Sequence, residues 1–147
     1  MPHFLKIAAA ALLGIFLSTS AFAEGKTHKV AIHVDQNDKK VMNMALNNVQ
    51  NVSKYYKSKG DKVIVEVVAY GPGLHMFRAD TSPVKDRIET MSLAMPEVTF
   101  SACGNTHRKM SKKAGKDVVL LSESKKVPSG VVRLIELQEN GYAYVRP

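Results

Sequence analysis

The chain of 147 residues contains a single cysteine, Cys103, and its surroundings suggest chemistry. A thiol attacks as the thiolate, and its pKa falls at a helix N-terminus or beside cations. Cys103 is followed by Gly104, Asn105 and Thr106, which read as a turn, and then by a basic helix from about His107. The amides and dipole of that helix favour an anion. Asn105 and Thr106 can hydrogen-bond to it, and His107 or Arg108 can stabilise negative charge. Gly104 lets a ligand or the backbone approach the sulfur closely. A lone cysteine also reads as a small buried hydrophobe, and only its exposure decides between the two.

Other residue types could serve the same purpose. His33, His75, Cys103 and His107 are ligand types for zinc or copper, but their spacing matches no metal motif and no metal site is expected. His33, inside an apolar strand, reads as a hydrogen-bonded core histidine that Asp35 could orient. Met42, Met44, Met91 and Met95 read as core filling. There is no serine-nucleophile motif and no phosphate-binding glycine loop, so no cofactor is expected. Gly71-Pro72-Gly73 is most simply a turn, with Gly71 and Gly73 as candidates for a ligand loop.

These residues must be positioned by the elements around them. Lys29 to Asp35 is a β-branched, apolar strand, and Asp35-Gln36-Asn37-Asp38 after it is a turn with a helix N-cap. Met42, Ala45, Leu46, Val49, Val52 and Tyr56 recur at helical spacing between Lys39 and Lys57. Gly60 ends that helix, and Lys62 to Tyr70 is a strand apolar enough to be covered on both faces. Ser82-Pro83 starts a helix with Val84, Ile88, Met91 and Met95 on one face, and Pro96 stops it. Glu97 to Ala102 is the third strand, Asp117 to Leu121 suits helix or strand with helix preferred, and Lys125 to Pro128 is a short fourth strand. Ser129 caps a helix carrying Val131, Leu134, Ile135 and Gln138; after Gly141, Tyr142 to Val145 is the last strand.

Strands alternating with helices imply a mostly parallel sheet of about five strands with helices on both faces. Ligands bind at the carboxyl ends of such strands. His33 and Asp35, Gly71 and Gly73, and Cys103 to Thr106 all fall at such ends, so one shared pocket is expected.

The N-terminus reads as an export signal. Lys6 precedes an apolar run from Ile7 to Leu17, and Ala21-Phe22-Ala23 suits a signal peptidase, with cleavage before Glu24. The run is well short of the ~20 residues of a spanning helix, so stable membrane insertion is not expected. The expected product is one soluble domain, residues 24–147, in a periplasm or outside the cell. The chain's formal charge of +8 becomes +7 when Lys6 is removed. Lys54, Lys57, Lys59 and Lys62 suit a solvated face. Arg108, Lys109, Lys112, Lys113 and Lys116 would attract anions near Cys103. No nucleic-acid motif is present.

The strand ends His33-Val34-Asp35 and Val67-Val68-Ala69-Tyr70-Gly71-Pro72-Gly73 form part of a larger ordered pattern. It continues with Phe100-Ser101-Ala102-Cys103-Gly104-Asn105-Thr106, Val127-Pro128-Ser129-Gly130-Val131 and Leu137-Gln138-Glu139-Asn140-Gly141-Tyr142-Ala143-Tyr144. In order and spacing this resembles the DsrE/DsrF-like family over nearly the whole mature chain. The resemblance implies a three-layer α/β/α sandwich around a five-stranded parallel sheet and a homo-oligomer. It also implies a cysteine, matched by Cys103, that carries sulfur as a persulfide between a donor and an acceptor protein. The expected function is to handle a sulfur species at Cys103, either as a transient persulfide or as a bound small sulfur anion; the alternative expectation is a non-catalytic small-ligand or partner-binding module with an inert, buried cysteine.

Overall fold

The computed structural model describes residues 25–147, so the expected export signal and the expected cleavage before Glu24 lie outside the described residues. Five strands, β1 (Thr27–Val34), β2 (Lys62–Ala69), β3 (Val98–Cys103), β4 (Ser124–Val127) and β5 (Ala143–Val145), form one sheet in the order β4-β3-β2-β1-β5. Every neighbouring pair is parallel. The fold is therefore the expected α/β sandwich.

The strand order dictates where the helices lie. From β1 to β4 the chain steps steadily across the sheet, and right-handed crossovers put α1 (Lys39–Ser58), α2 (Lys85–Ala94) and α3 (Gly104–Ala114) on one face. The return from β4 to β5 then carries α4 (Gly130–Glu139) over the other face. Side chains alternate across the strands. Val30, Ile32, Val65, Val67 and Phe100 join the large core under α1 and α2, whereas Ala31 and Val68 join a small cluster with Leu134 and Leu137 of α4.

Several local expectations are corrected. Gly71-Pro72-Gly73 opens a 3-10 helix, Gly71–Phe77, instead of a simple turn. A Cβ on Gly73 would stand 2.2 Å from the Val34 carbonyl oxygen, so this glycine permits backbone packing against β1. α3 starts at Gly104, not near His107, because Cys103 itself serves as the N-cap. Residues 117–121 form an extended strap, bonded through Ala79 N–H to Val119 O and Leu121 N–H to Phe77 O. Five residues rich in valine after Gly115 gain more from those bonds than from one isolated helical turn.

α4 turns a different face inward from the one its apolar spacing suggests. It buries Gly130, Leu134 and Leu137, while Val131 and Ile135 are exposed. Two contacts set this rotation: Gly130 lies against Tyr70 and Cys103, and Arg133 reaches Glu66 on β2. Met44 also points outward, unlike the buried Met42 and Met91. Among the described residues no helix is long and apolar enough to cross a membrane.

Candidate functional site at the ends of β3 and β4

Adjacent strands β3 and β4 send their connections to opposite faces of the sheet. Such a reversal is the place where open α/β sheets hold their ligands. Cys103 is paired in register with Val127 at that position. Its backbone is extended, at φ −65° and ψ 114°, and its sulfur accepts a hydrogen bond from the Thr106 amide at 3.5 Å.

Burial pushes the thiol pKa up. The Thr106 hydroxyl and the amides of Gly130, Thr106 and Asn105 outweigh that effect, so the net shift is downward. The hydroxyl is held in place: Gly71 N–H donates to Thr106 Oγ1 at 2.9 Å, leaving the hydroxyl hydrogen for the sulfur. Donors from the start of α3 and the start of α4 thus surround one atom. Cys103 is only 4% exposed, although Asn105 and Pro128 beside it are open to solvent.

Gly104 and Gly130 make this closeness possible. A Cβ at Gly104 would stand 3.0 Å from the Val127 carbonyl oxygen, so the approaching group is the backbone of the β4–α4 connection. A Cβ at Gly130 would lie 2.9 Å from Tyr70 Cβ and 3.1 Å from Cys103 Cβ. Without a side chain there, the first amide of α4 can reach the sulfur.

His107 bonds to the strap, not to the thiol. It is buried, and its Nε2 donates to the Val118 carbonyl at 2.6 Å, fastening α3 to the strap. Arg108 is exposed and donates to the Asn105 side-chain oxygen, on the outside of the same turn.

Among solved structures, the chain is similar to a protein of unknown function, MTH1491 from Methanobacterium thermoautotrophicum. The two are 30% identical with a TM-score of 0.64, over 82% of this chain and 99% of MTH1491. The chain belongs to the MTH1491 family. No protein-family model and no curated protein matches it. Membership in the MTH1491 family accounts for the architecture and brings no activity with it, so function must be argued from the site.

In this member of the MTH1491 family, His33 is the one expected site residue at a second corner, which it forms with residues the sequence did not single out. His33 Nδ1 and the Tyr144 hydroxyl are 2.7 Å apart, and the His33 ring stacks on Tyr70 at 4.5 Å. With Gln138 they border a cleft of about 280 Å³ whose lining does not include Cys103. Burial lowers the His33 pKa, Asp35 raises it and Arg146 lowers it again, for a net downward shift that favours the neutral ring. Asp35 does not orient the imidazole by a hydrogen bond; it pairs with Arg146 at 2.8 Å. The single shared pocket is thus two neighbouring corners, with Tyr70 and Gly130 between them. Among the described residues no three His, Cys, Asp or Glu side chains are grouped to hold a metal ion.

Sequence reasoning missed Glu66. It is 5% exposed, accepts from Arg133 Nε and Nη2 at 2.7 Å each, and accepts from Ser101 Oγ at 2.6 Å. A charged residue in the middle of an otherwise apolar strand was the available signal, since buried charges are paired. The pair clamps α4 to the sheet one turn after Gly130, which fixes the amide that faces the sulfur.

Proposed function

We propose that the chain is an exported sulfur-handling protein of DsrE type, which carries sulfane sulfur as a persulfide on Cys103. The observation that supports this reading is the ring of donors, from the amides of Asn105, Thr106 and Gly130 and the Thr106 hydroxyl, that lowers the thiol pKa against burial. In a balanced step, the Cys103 thiolate attacks the outer sulfur of thiosulfate. A new S–S bond forms, the S–S bond of thiosulfate breaks, and sulfite leaves with the electron pair. The persulfide carries one negative charge, so the same donors serve reactant and product. An acceptor thiolate then takes the outer sulfur and restores Cys103, making the protein a carrier with donor and acceptor partners. Assembly into a homo-oligomer belongs to the same reading: Val131, Val132, Ile135 and Tyr144 leave the α4 side with exposed apolar surface.

The test is the pH dependence of iodoacetamide labelling, followed by incubation with thiosulfate or polysulfide. Half-maximal labelling is expected below pH ~8.5, the usual cysteine value. A sulfur adduct should appear by mass, be removed by a reductant and be absent in Cys103→Ser. The 4% exposure of Cys103 favours the alternative, a binding module with an inert cysteine. Labelling only after denaturation would establish that alternative. Light scattering should show a mass above the monomer, and a monomer at micromolar concentration would remove assembly from the proposal.

A further inference from the structure

We propose that the outer face of α3 is a docking surface for an acidic helical segment of a partner protein. Arg108, Lys109, Lys112 and Lys113 are all exposed on α3, and Lys116 follows just beyond its Gly115 cap. At 3.6 residues per turn, the four helical cations fall within an arc of about 140°. The opposite side carries buried His107 and Met110, which packs against the core.

Part of this arrangement works against the helix itself. Arg108 with Lys112 and Lys109 with Lys113 are like charges four residues apart, and each pair is destabilising. The first turn has no acidic residue to complement the dipole. Lys109, Lys112, Lys113 and Lys116 form no ion pair among the described residues. Elsewhere the same residue type is neutralised, as where Lys57 meets Glu97 at 2.5 Å. Lys112 and Lys113 complement the dipole in the last turn, whereas Arg108 and Lys109 lie outside that turn, and for them an external anion supplies the account.

The shape of the patch selects the class of anion. An interfacial helix needs an apolar face toward lipid, and the large apolar side chain of α3, Met110, is turned inward. Single-stranded nucleic acid needs aromatic platforms, and α3 carries no Phe, Tyr or Trp. Two cation rows with i, i+4 spacing instead match glutamates at i, i+4 on a facing helix, whose neighbours are roughly 5–6 Å apart. The proposal does not depend on the chemistry of Cys103, although a partner seated there would lie beside the first turn of α3.

The experiment uses the full chain and fluorescence anisotropy with a labelled helical peptide bearing glutamates at i, i+4, together with its glutamine counterpart. Phosphatidylglycerol vesicles and a single-stranded oligonucleotide are measured in parallel. The glutamate peptide should bind saturably and weaken with salt. Lys109→Glu with Lys113→Glu should lower its affinity by at least about tenfold, while the equally charged control, Lys39→Glu with Lys40→Glu, changes it less than about twofold. The neutral pair Lys109→Gln with Lys113→Gln covers the case in which reversal perturbs α3, as monitored by circular dichroism. Equal losses at the two places, tighter binding to vesicles or oligonucleotide, or absence of saturable binding would each overturn the proposal.

Discussion

The two faces of the sheet hold different kinds of residue. Under α1 and α2, side chains such as Leu46, Val65, Val67, Phe77 and Phe100 form a continuous apolar core. Under α4 the apolar cluster is small, and the strands instead present His33, Glu66, Ser101 and Cys103, all buried. The first face derives its stability from close packing, which tolerates no special geometry at a single atom. The second depends on hydrogen bonds that do fix single atoms, including the donors around the sulfur. One helix covering five strands thus leaves stability mainly to one side and chemical specificity to the other.

The largest expected effect comes from setting one substitution on each face against the other. Leu46→Ala removes a fully buried side chain from the packed face and should cost about 2–5 kcal/mol in chemical denaturation. The pH profile of thiol labelling should stay where it is. Arg133→Met should cost about 3 kcal/mol, near the low end for a broken buried pair because the Arg133 side chain is 34% exposed. Here the labelling profile should move to higher pH, since α4 loses the clamp that holds the Gly130 amide. Equal movement in both variants would break the division between the faces.

Acid stability offers a sharper and smaller test. Burial raises the Glu66 pKa, but bonds from Arg133 and Ser101, with help from Lys125, hold it below the ordinary glutamate value of 4.5. A depressed carboxyl pKa stabilises the fold above the unfolded value and loses that contribution as pH falls through the folded value. Wild-type protein should therefore lose the Glu66 contribution below about pH 4.5. In Arg133→Met, burial acts on Glu66 without its main partner, so the Glu66 contribution should change sign and favour the fold on acidification. Urea denaturation of both proteins across this range gives the difference, and parallel curves would contradict the assignment.

Smallest of all should be Tyr144→Phe, which removes the hydroxyl next to His33 Nδ1 at a cost of about 1 kcal/mol. His33 Nε2 is buried and has no hydrogen-bond partner among the described residues. Imidazole nitrogen shifts in labelled protein should change at His33 while thiol labelling is unaffected. Coupled changes at both places would make the two corners one site.

Local order in the sequence revealed most of the architecture. The apolar spacing of α1 and the β-branched runs of β1 and β2 report burial directly, and Gly60 and Gly141 mark turns through their positive φ. What stayed hidden depends on distant partners. Glu66 meets Arg133 across 67 residues, and His33 meets Tyr144 across 111. The expectation that His107 stabilises charge at Cys103 fails because the carbonyl that holds it belongs to the strap at Val118, whose path follows from contacts with residues 77–79. The early start of α3 was masked by Gly104, Asn105 and Thr106, all poor helix formers. Cys103 was identifiable as the candidate nucleophile, but its Gly130 donor required knowing that β4 lies beside β3.

The bond from Gly71 N–H to Thr106 Oγ1 links the start of the 3-10 helix to the sulfur through one hydroxyl. When Cys103 ionises, that hydroxyl is drawn toward the negative sulfur and its oxygen becomes a stronger acceptor, because hydrogen bonds in a chain polarise one another. The Gly71 amide proton should therefore move downfield with the thiol's titration. A backbone resonance distant in sequence becomes a native indicator of the thiol's charge, readable without attaching a reagent to the cysteine.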